Sequence, residues 1–151
     1  MRTLGIDVGA RRIGLALSDP SGTLATPLRT LQAPGRLAAR VAQVSGEIDR
    51  LAAEEPGLHG IVVGLPLDLE GRPGRETARV TAFVAALRRR TPLPIALQGE
   101  RLSSREAERR LALREPDWRR RKRRLDAAAA AVILQDYLDD APRTAGGGGT
   151  G

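Results

Sequence analysis

The order of the apolar segments constrains this chain more than any other feature. Three short extended stretches come first, and helical and extended patterns alternate after them. Thr3 to Ile6 is short and apolar and reads as a buried strand. Arg12 to Ser18 reads as its hairpin partner, with Ile13, Leu15 and Leu17 alternating against smaller residues and Gly9-Ala10-Arg11-Arg12 as a tight link. Leu24 to Arg29 forms a third strand after the Asp19-Pro20-Ser21-Gly22 turn. From Arg36 to Leu51, the residues Leu37, Val41, Val44, Ile48 and Leu51 recur at helical spacing on one face. Gly60 to Gly64 is a buried strand, and Asp68 to Gly74 is a glycine-punctuated loop. Thr77 to Arg90 is a helix with Val80, Phe83, Val84 and Leu87 on one side. Pro92 and Pro94 end that helix before a strand from Ile95 to Gln98. Ser103-Ser104-Arg105-Glu106 fits a capping box and predicts a helix that carries Ala107 and Leu111 inward and stops before Pro116. The last helix is expected from about Leu125 to Asp139.

Opening hairpins followed by strand–helix alternation imply the α/β class: a mixed five-stranded sheet with helices on both faces. Right-handed crossovers leave few other arrangements. Residues 1–140 are expected to form one domain, and residues 141–151, ending in a run of glycines, a flexible tail.

A chain of 151 residues is long enough to bury a real core. Phe83, Trp118 and Tyr137 are its only aromatic residues, so that core is aliphatic. So few rings also argue against a stacking platform for single strands. The absence of cysteine excludes disulfides and thiolate metal sites. No apolar run approaches the roughly 20 residues that span a bilayer, and the sequence opens straight into a strand without a signal-peptide pattern. A cytoplasmic protein with no membrane partner is the expectation. The formal charge of +7 favours a polyanionic partner, with nucleic acid first among candidates. Lys122 is the sole lysine, and the Ala-, Gly-, Pro- and Arg-rich composition is also what a GC-rich genome encodes. Local clustering therefore carries more weight than the total.

Three carboxylates stand in distinctive settings. Asp7 closes the apolar stretch Leu4-Gly5-Ile6-Asp7-Val8-Gly9, Glu100 follows Pro94-Ile95-Ala96-Leu97, and Asp126 opens an alanine-rich helix. Singly, each has an ordinary role: a turn residue, a solvated loop acid, and an acid favoured by the positive end of a helix. In a strand–helix sheet, however, functional groups gather at strand ends near the centre. Clustered carboxylates repel and need a cation, and hard oxygen ligands suit Mg²⁺ or Mn²⁺. A basic chain around an acidic metal site points to phosphodiester cleavage. The run Arg119, Arg120, Arg121, Lys122, Arg123, Arg124 directly precedes Asp126. It is expected to be a solvated, mobile loop that can order along a phosphate backbone. Arg11 and Arg12 on the first hairpin and Arg101 beside Glu100 are further candidates for phosphate contact. Gly64-Leu65-Pro66 is either a place where backbone approaches substrate or a tight loop after a strand. His59, the only histidine, reads as structural.

Four stretches together carry a resemblance. They are Gly5-Ile6-Asp7-Val8-Gly9-Ala10-Arg11-Arg12-Ile13-Gly14-Leu15-Ala16-Leu17-Ser18-Asp19, Val62-Val63-Gly64-Leu65-Pro66, Glu100-Arg101-Leu102-Ser103-Ser104 and Asp126-Ala127-Ala128-Ala129-Ala130-Ala131-Val132-Ile133-Leu134-Gln135. In this order they resemble the YqgF family, also called RuvX, of Holliday junction resolvase-like proteins, over roughly residues 3 to 139. The resemblance implies an RNase H-like fold and a nuclease that matures the 5′ end of pre-16S ribosomal RNA, with Holliday junction resolution as an older proposal. Asp7, Glu100 and Asp126 match the acidic positions of the family motifs. The implied substrates are structured precursor RNA or branched DNA, with the assembling small ribosomal subunit as a partner. The corresponding mechanism is hydrolysis with two ions, about 3.5–4 Å apart, bridged by Asp7 and completed by Glu100 and Asp126. By analogy it leaves a 5′-phosphate, and metal-bound water removes the need for a histidine base. One position departs from the pattern: Gly99 stands where the family usually has Asp before Glu100-Arg101. That keeps open a nucleic-acid-binding module that has lost activity. An actin-like or sugar-kinase-like ATPase also opens with an Asp-x-Gly hairpin, but it needs two such lobes, and this chain is too short for both.

Overall fold

The computed structural model describes residues 1–68, 70–101 and 118–140, with the side chains of the last helix from Asp126 onward. In chain order the elements are β1 (Arg2–Val8), β2 (Arg12–Ser18), β3 (Ala25–Gln32), α1 (Leu37–Ala53), β4 (Leu58–Leu67), α2 (Arg75–Arg88), β5 (Ile95–Arg101) and α3 (Trp118–Asp140). The sheet runs β3-β2-β1-β4-β5, with β1 at its centre. β1 and β2 pair antiparallel, as do β2 and β3, whereas β4 lies parallel to both β1 and β5. This is the mixed five-stranded sheet the sequence predicts.

Successive side chains of a strand point to opposite faces, so each strand sorts its residues into two sets. One set holds Leu4, Ile6, Val8, Ile13, Leu15, Ile61, Val63 and Ile95, all packed into the larger core. The stripe Val41, Val44, Ile48 and Leu51 of α1 and the stripe Val80, Phe83, Val84 and Leu87 of α2 close over them. The other set is small: Gly5, Gly14, Ala16, Val62 and Gly64. Among the described residues, α3 is the helix that lies on it, through Ala130, Ile133, Leu134 and Leu138. The glycines let this helix sit very close. A Cβ at Gly5 would lie 2.7 Å from the Cβ of Leu134, one at Gly64 would overlap the Ile133 side chain, and one at Gly14 would overlap the backbone carbonyl of Asp126. Gln135 clasps the same helix to the start of β3: its Oε1 accepts the Ala25 N–H (2.9 Å) and its Nε2 donates to the Thr23 carbonyl (2.9 Å).

The predicted Asp19–Gly22 turn is present. The Asp19 carboxylate accepts the N–H groups of Thr23 (2.8 Å) and Leu24 (3.0 Å), and Gly22 takes a φ of 72°, a conformation glycine adopts without steric cost.

Two elements differ from expectation in ways that matter for function. β5 continues through Gly99 and Glu100 to Arg101, because the parallel ladder with β4 extends beyond the apolar run, pairing Pro66 with Glu100 and Leu67 with Arg101. Glu100 is therefore a strand residue and not a loop acid. α3 begins at Trp118 rather than near Leu125, so Arg119 to Arg124 are helical and not a loop. Arg and Lys are good helix formers, and neither Gly nor Pro interrupts the run. The helix expected from Ser103, the tail from Ala141 and the side chain of Arg101 lie outside the described residues.

Candidate active site

Asp7 is the penultimate residue of the central strand, on the α3 face. Its antiparallel partner is Gly14 of β2. Because Gly14 has no side chain, the Asp126 carbonyl of α3 rests against it, which brings Asp126 next to Asp7. On the other side, β4 brings Gly64 and Pro66 to the same level, and Glu100 of β5 is paired with Pro66. The three acids thus come from β1, β5 and α3 and line a single cleft of about 470 Å³ at one end of the sheet. Gly9 and Ala10 of the first hairpin, Gly64, Pro66 and Ile133 form its floor and walls, and Glu76 and Arg79 of α2 complete it.

The electrostatics are those of crowded anions. Burial pushes the Asp7 carboxyl up to about 6, and the negative charge of Asp126 pushes in the same direction. Asp126 is partly compensated: Arg12 donates its Nε–H to Asp126 Oδ2 at 3.0 Å, and each side chain keeps about a quarter of its surface exposed. Among the described residues, no three His, Cys, Asp or Glu side chains form a ready-made metal shell. The donor set is hard oxygen, and a proton on Asp7 is the alternative to a nearby cation. Such residues fit a divalent ion held by one or two carboxylates, with the rest of its shell from water and phosphate oxygens, as Mg²⁺ prefers.

The other sequence candidates fall as follows. Arg12 does not line the cleft itself but pairs with Asp126, which does. Arg11 is exposed on the hairpin, where its carbonyl accepts the Ala33 N–H. Arg119, Arg120, Arg121, Lys122, Arg123 and Arg124 occupy the first two turns of α3. That shifts Asp126 to the ninth residue of the helix, so a favourable interaction with the helix terminus no longer accounts for it. Gly64 is covered by Ile133 as well as opening on the cleft. Gly99 is exposed on the strand, and alternation aims its position to the face opposite Glu100. His59 lies at the far end of β4, 3.5 Å from the Thr3 hydroxyl, and takes no part in the cleft.

Sequence reasoning did not single out Gly14, Glu76 or Arg79. A signal for the α2 residues existed: a helix entered from the carboxyl end of a central parallel strand starts beside the ligand crevice. Gly14 had no such signal, because its role depends on a helix more than a hundred residues later.

A mixed five-stranded sheet with an acid-lined cleft at the strand ends defines the class as an RNase H-like α/β protein. The chain belongs to the RuvX family, described as "RuvX: Holliday junction resolvase", which it matches over residues 1–140. It is 42% identical to a protein of Chloroflexus aggregans named "Putative pre-16S rRNA nuclease", covering 90% of this chain and 92% of that one. A protein of the same name from Maridesulfovibrio salexigens is 41% identical, covering 91% and 98%. Among solved structures, the fold is similar to T. thermophilus RuvC in complex with a Holliday junction substrate, with a TM-score of 0.53, 15% identity and 96% of each chain covered. It is also similar to the Fowlpox virus resolvase bound to Holliday junction DNA, with a TM-score of 0.51, 8% identity, and 92% and 97% covered.

Proposed function

We propose that this protein is a divalent-metal-dependent endonuclease that hydrolyses phosphodiester bonds of precursor 16S ribosomal RNA during maturation of its 5′ end. The observation that carries this reading is the convergence of Asp7, Glu100 and Asp126, from three separate elements, on one cleft. The names of the relatives support the choice of substrate.

In this reading Asp7, with Asp126 and Glu100 on either side, holds Mg²⁺ or Mn²⁺, up to two ions. When bound, the metal lowers the pKa of a water and offsets charge on the phosphate oxygens. Burial and the charge of Asp126 raise the cost of the ionised Asp7 carboxylate, and a bound cation offsets that cost. Arg12 fixes the orientation of the Asp126 carboxylate. Hydrolysis forms one bond from water oxygen to phosphorus and breaks the bond from phosphorus to the 3′-oxygen. The products are a 5′-phosphate and a 3′-hydroxyl. Arg11, Arg12, Arg101 and the basic residues 119–124 contact backbone phosphates, giving affinity that falls with salt and reads no sequence. Gly99 leaves this site intact, because its position faces away from the three acids. Residues 1–140 act as the nuclease domain and 141–151 as a tail, in the cytoplasm, with the assembling small subunit as the docking partner. No helix among the described residues is long and apolar enough to cross a membrane.

The test is direct. Purified protein is incubated with labelled precursor 16S RNA and with a four-way DNA junction, with and without Mg²⁺ or Mn²⁺, beside Asp7→Asn. Metal-dependent cutting of the RNA, lost in the variant, is expected. Cutting of the junction alone assigns branched DNA as the substrate. Salt-sensitive binding without cutting of either indicates a binding module.

A further inference from the structure

The wall of the cleft away from α3 carries an arginine that the carboxylates do not use. Arg79, in the second turn of α2, lines the cleft together with Asp7, Gly9 and Glu100. Among the described residues it makes no hydrogen bond or ion pair. Glu76, one turn earlier, shares the wall but does not close a pair with it. Behind the wall lies a second guanidinium. Arg40 of α1 is only 5% exposed; one Nη2–H donates to the Gly9 carbonyl, and its Nε is buried without a partner. Burial and the nearby charge of Arg79 both work against the cationic form of Arg40. Two neighbouring guanidiniums, one holding a buried and unsatisfied donor, are a costly arrangement in the absence of an anion. A clamp on the hairpin explains the Gly9 contact of Arg40 but not the placement of Arg79 in the cleft.

We infer that Arg79, backed by Arg40, forms an anion subsite that takes the non-bridging oxygens of a phosphate group across the cleft from Asp7. Arginine suits this role, since its planar fork meets phosphate oxygens in pairs. Assigning that phosphate to a nucleic-acid strand, at a position flanking the scissile bond, rests on the nuclease reading; the anion subsite itself does not. Arg40 is a positioning residue: it holds the carbonyl of Gly9, which lines the same cleft as Arg79.

Two measurements on the full chain test this, both without metal. The first is thermal unfolding in inorganic phosphate, for wild type, Arg79→Ala and Arg79→Lys. The second is the salt dependence of binding to a labelled single-stranded RNA. Phosphate is expected to raise the melting temperature of the wild type, with most of the rise lost in Arg79→Ala and part of it kept in Arg79→Lys. The log–log salt slope of RNA binding is expected to shrink by about 0.7 in Arg79→Ala, one phosphate contact fewer. Loss of the phosphate effect in a protein that binds no RNA supports the subsite for free phosphate and removes the polynucleotide reading. RNA binding with the same slope and the same phosphate response in both proteins overturns the subsite and leaves the nuclease reading standing. A wild type indifferent to phosphate, with an unchanged slope in the variant, also overturns it. Arg79 is partly exposed, so its variants test the wall without disturbing the core.

Discussion

The two faces of the sheet are built from different residues for different ends. The face under α1 and α2 is floored by Leu, Ile and Val and capped by Phe83. The face under α3 is floored by Gly5, Gly14, Ala16 and Gly64, and it alone carries the acids. Large side chains hold elements about 10 Å apart and bury area. Absent side chains let a helix backbone touch a strand, and that contact is what sets Asp126 beside Asp7. One face supplies stability; the other gives up apolar area to gain position.

The comparison can be broken most severely on the large-residue side. Phe83→Ala, at a fully buried site, should cost about 3–5 kcal/mol in denaturant unfolding. Cleavage per folded molecule should stay unchanged. On the small-residue side, Asp7→Asn should have the opposite profile. Its loss of metal-dependent cleavage should exceed the 10–100-fold typical of removing an outer-sphere partner, while the metal-free protein becomes more stable at neutral pH. The sign follows from linkage. The folded carboxyl titrates near 6 and the ordinary value is 3.8, so the unfolded chain releases this proton first. Metal-free stability is therefore highest below about pH 4, falls as pH rises towards 6 and levels off above it. Chemical unfolding across that range should show the fall in wild type, at most about 3 kcal/mol, and not in Asp7→Asn.

Smaller effects sharpen the contrast. Gly14→Ala places a methyl against the Asp126 carbonyl and should cost about 1–3 kcal/mol as α3 shifts outward. Activity should fall with it, because the shift moves a carboxylate. Gly99→Asp should change stability by no more than about 0.5 kcal/mol and leave cleavage close to wild type, since the position faces away from the cleft.

Much of this architecture was legible in the chain. Period-two alternation found β2, helical spacing found α1 and α2, and short apolar runs bounded by turn residues found the central strands, because burial writes itself into spacing and run length. Asp7, Glu100 and Asp126 could be picked out because each sits at the edge of an apolar run. Element ends were less legible. Glu100 belongs to β5 only because β4 continues beside it, and pairing of that kind leaves no mark in local hydrophobicity. The arginine run hid the start of α3, since charge suggests solvent while helix propensity is silent about exposure. Gly14 was invisible for a different reason: its role lies in a contact across the fold with Asp126, and no neighbour in sequence announces it. Arg79 could be placed only as far as the start of a helix beside the crevice.

The central claim is that the glycine-floored face gathers its carboxylates to hold a divalent cation. The most direct measurement is the amount of Mn²⁺ bound per protein, read by electron paramagnetic resonance, in wild type and Asp7→Asn. The account predicts Mn²⁺ binding by the wild type, displaced by Mg²⁺ and strongly reduced in the variant. Equal binding by both proteins would contradict it, because the metal would then lie somewhere other than beside Asp7.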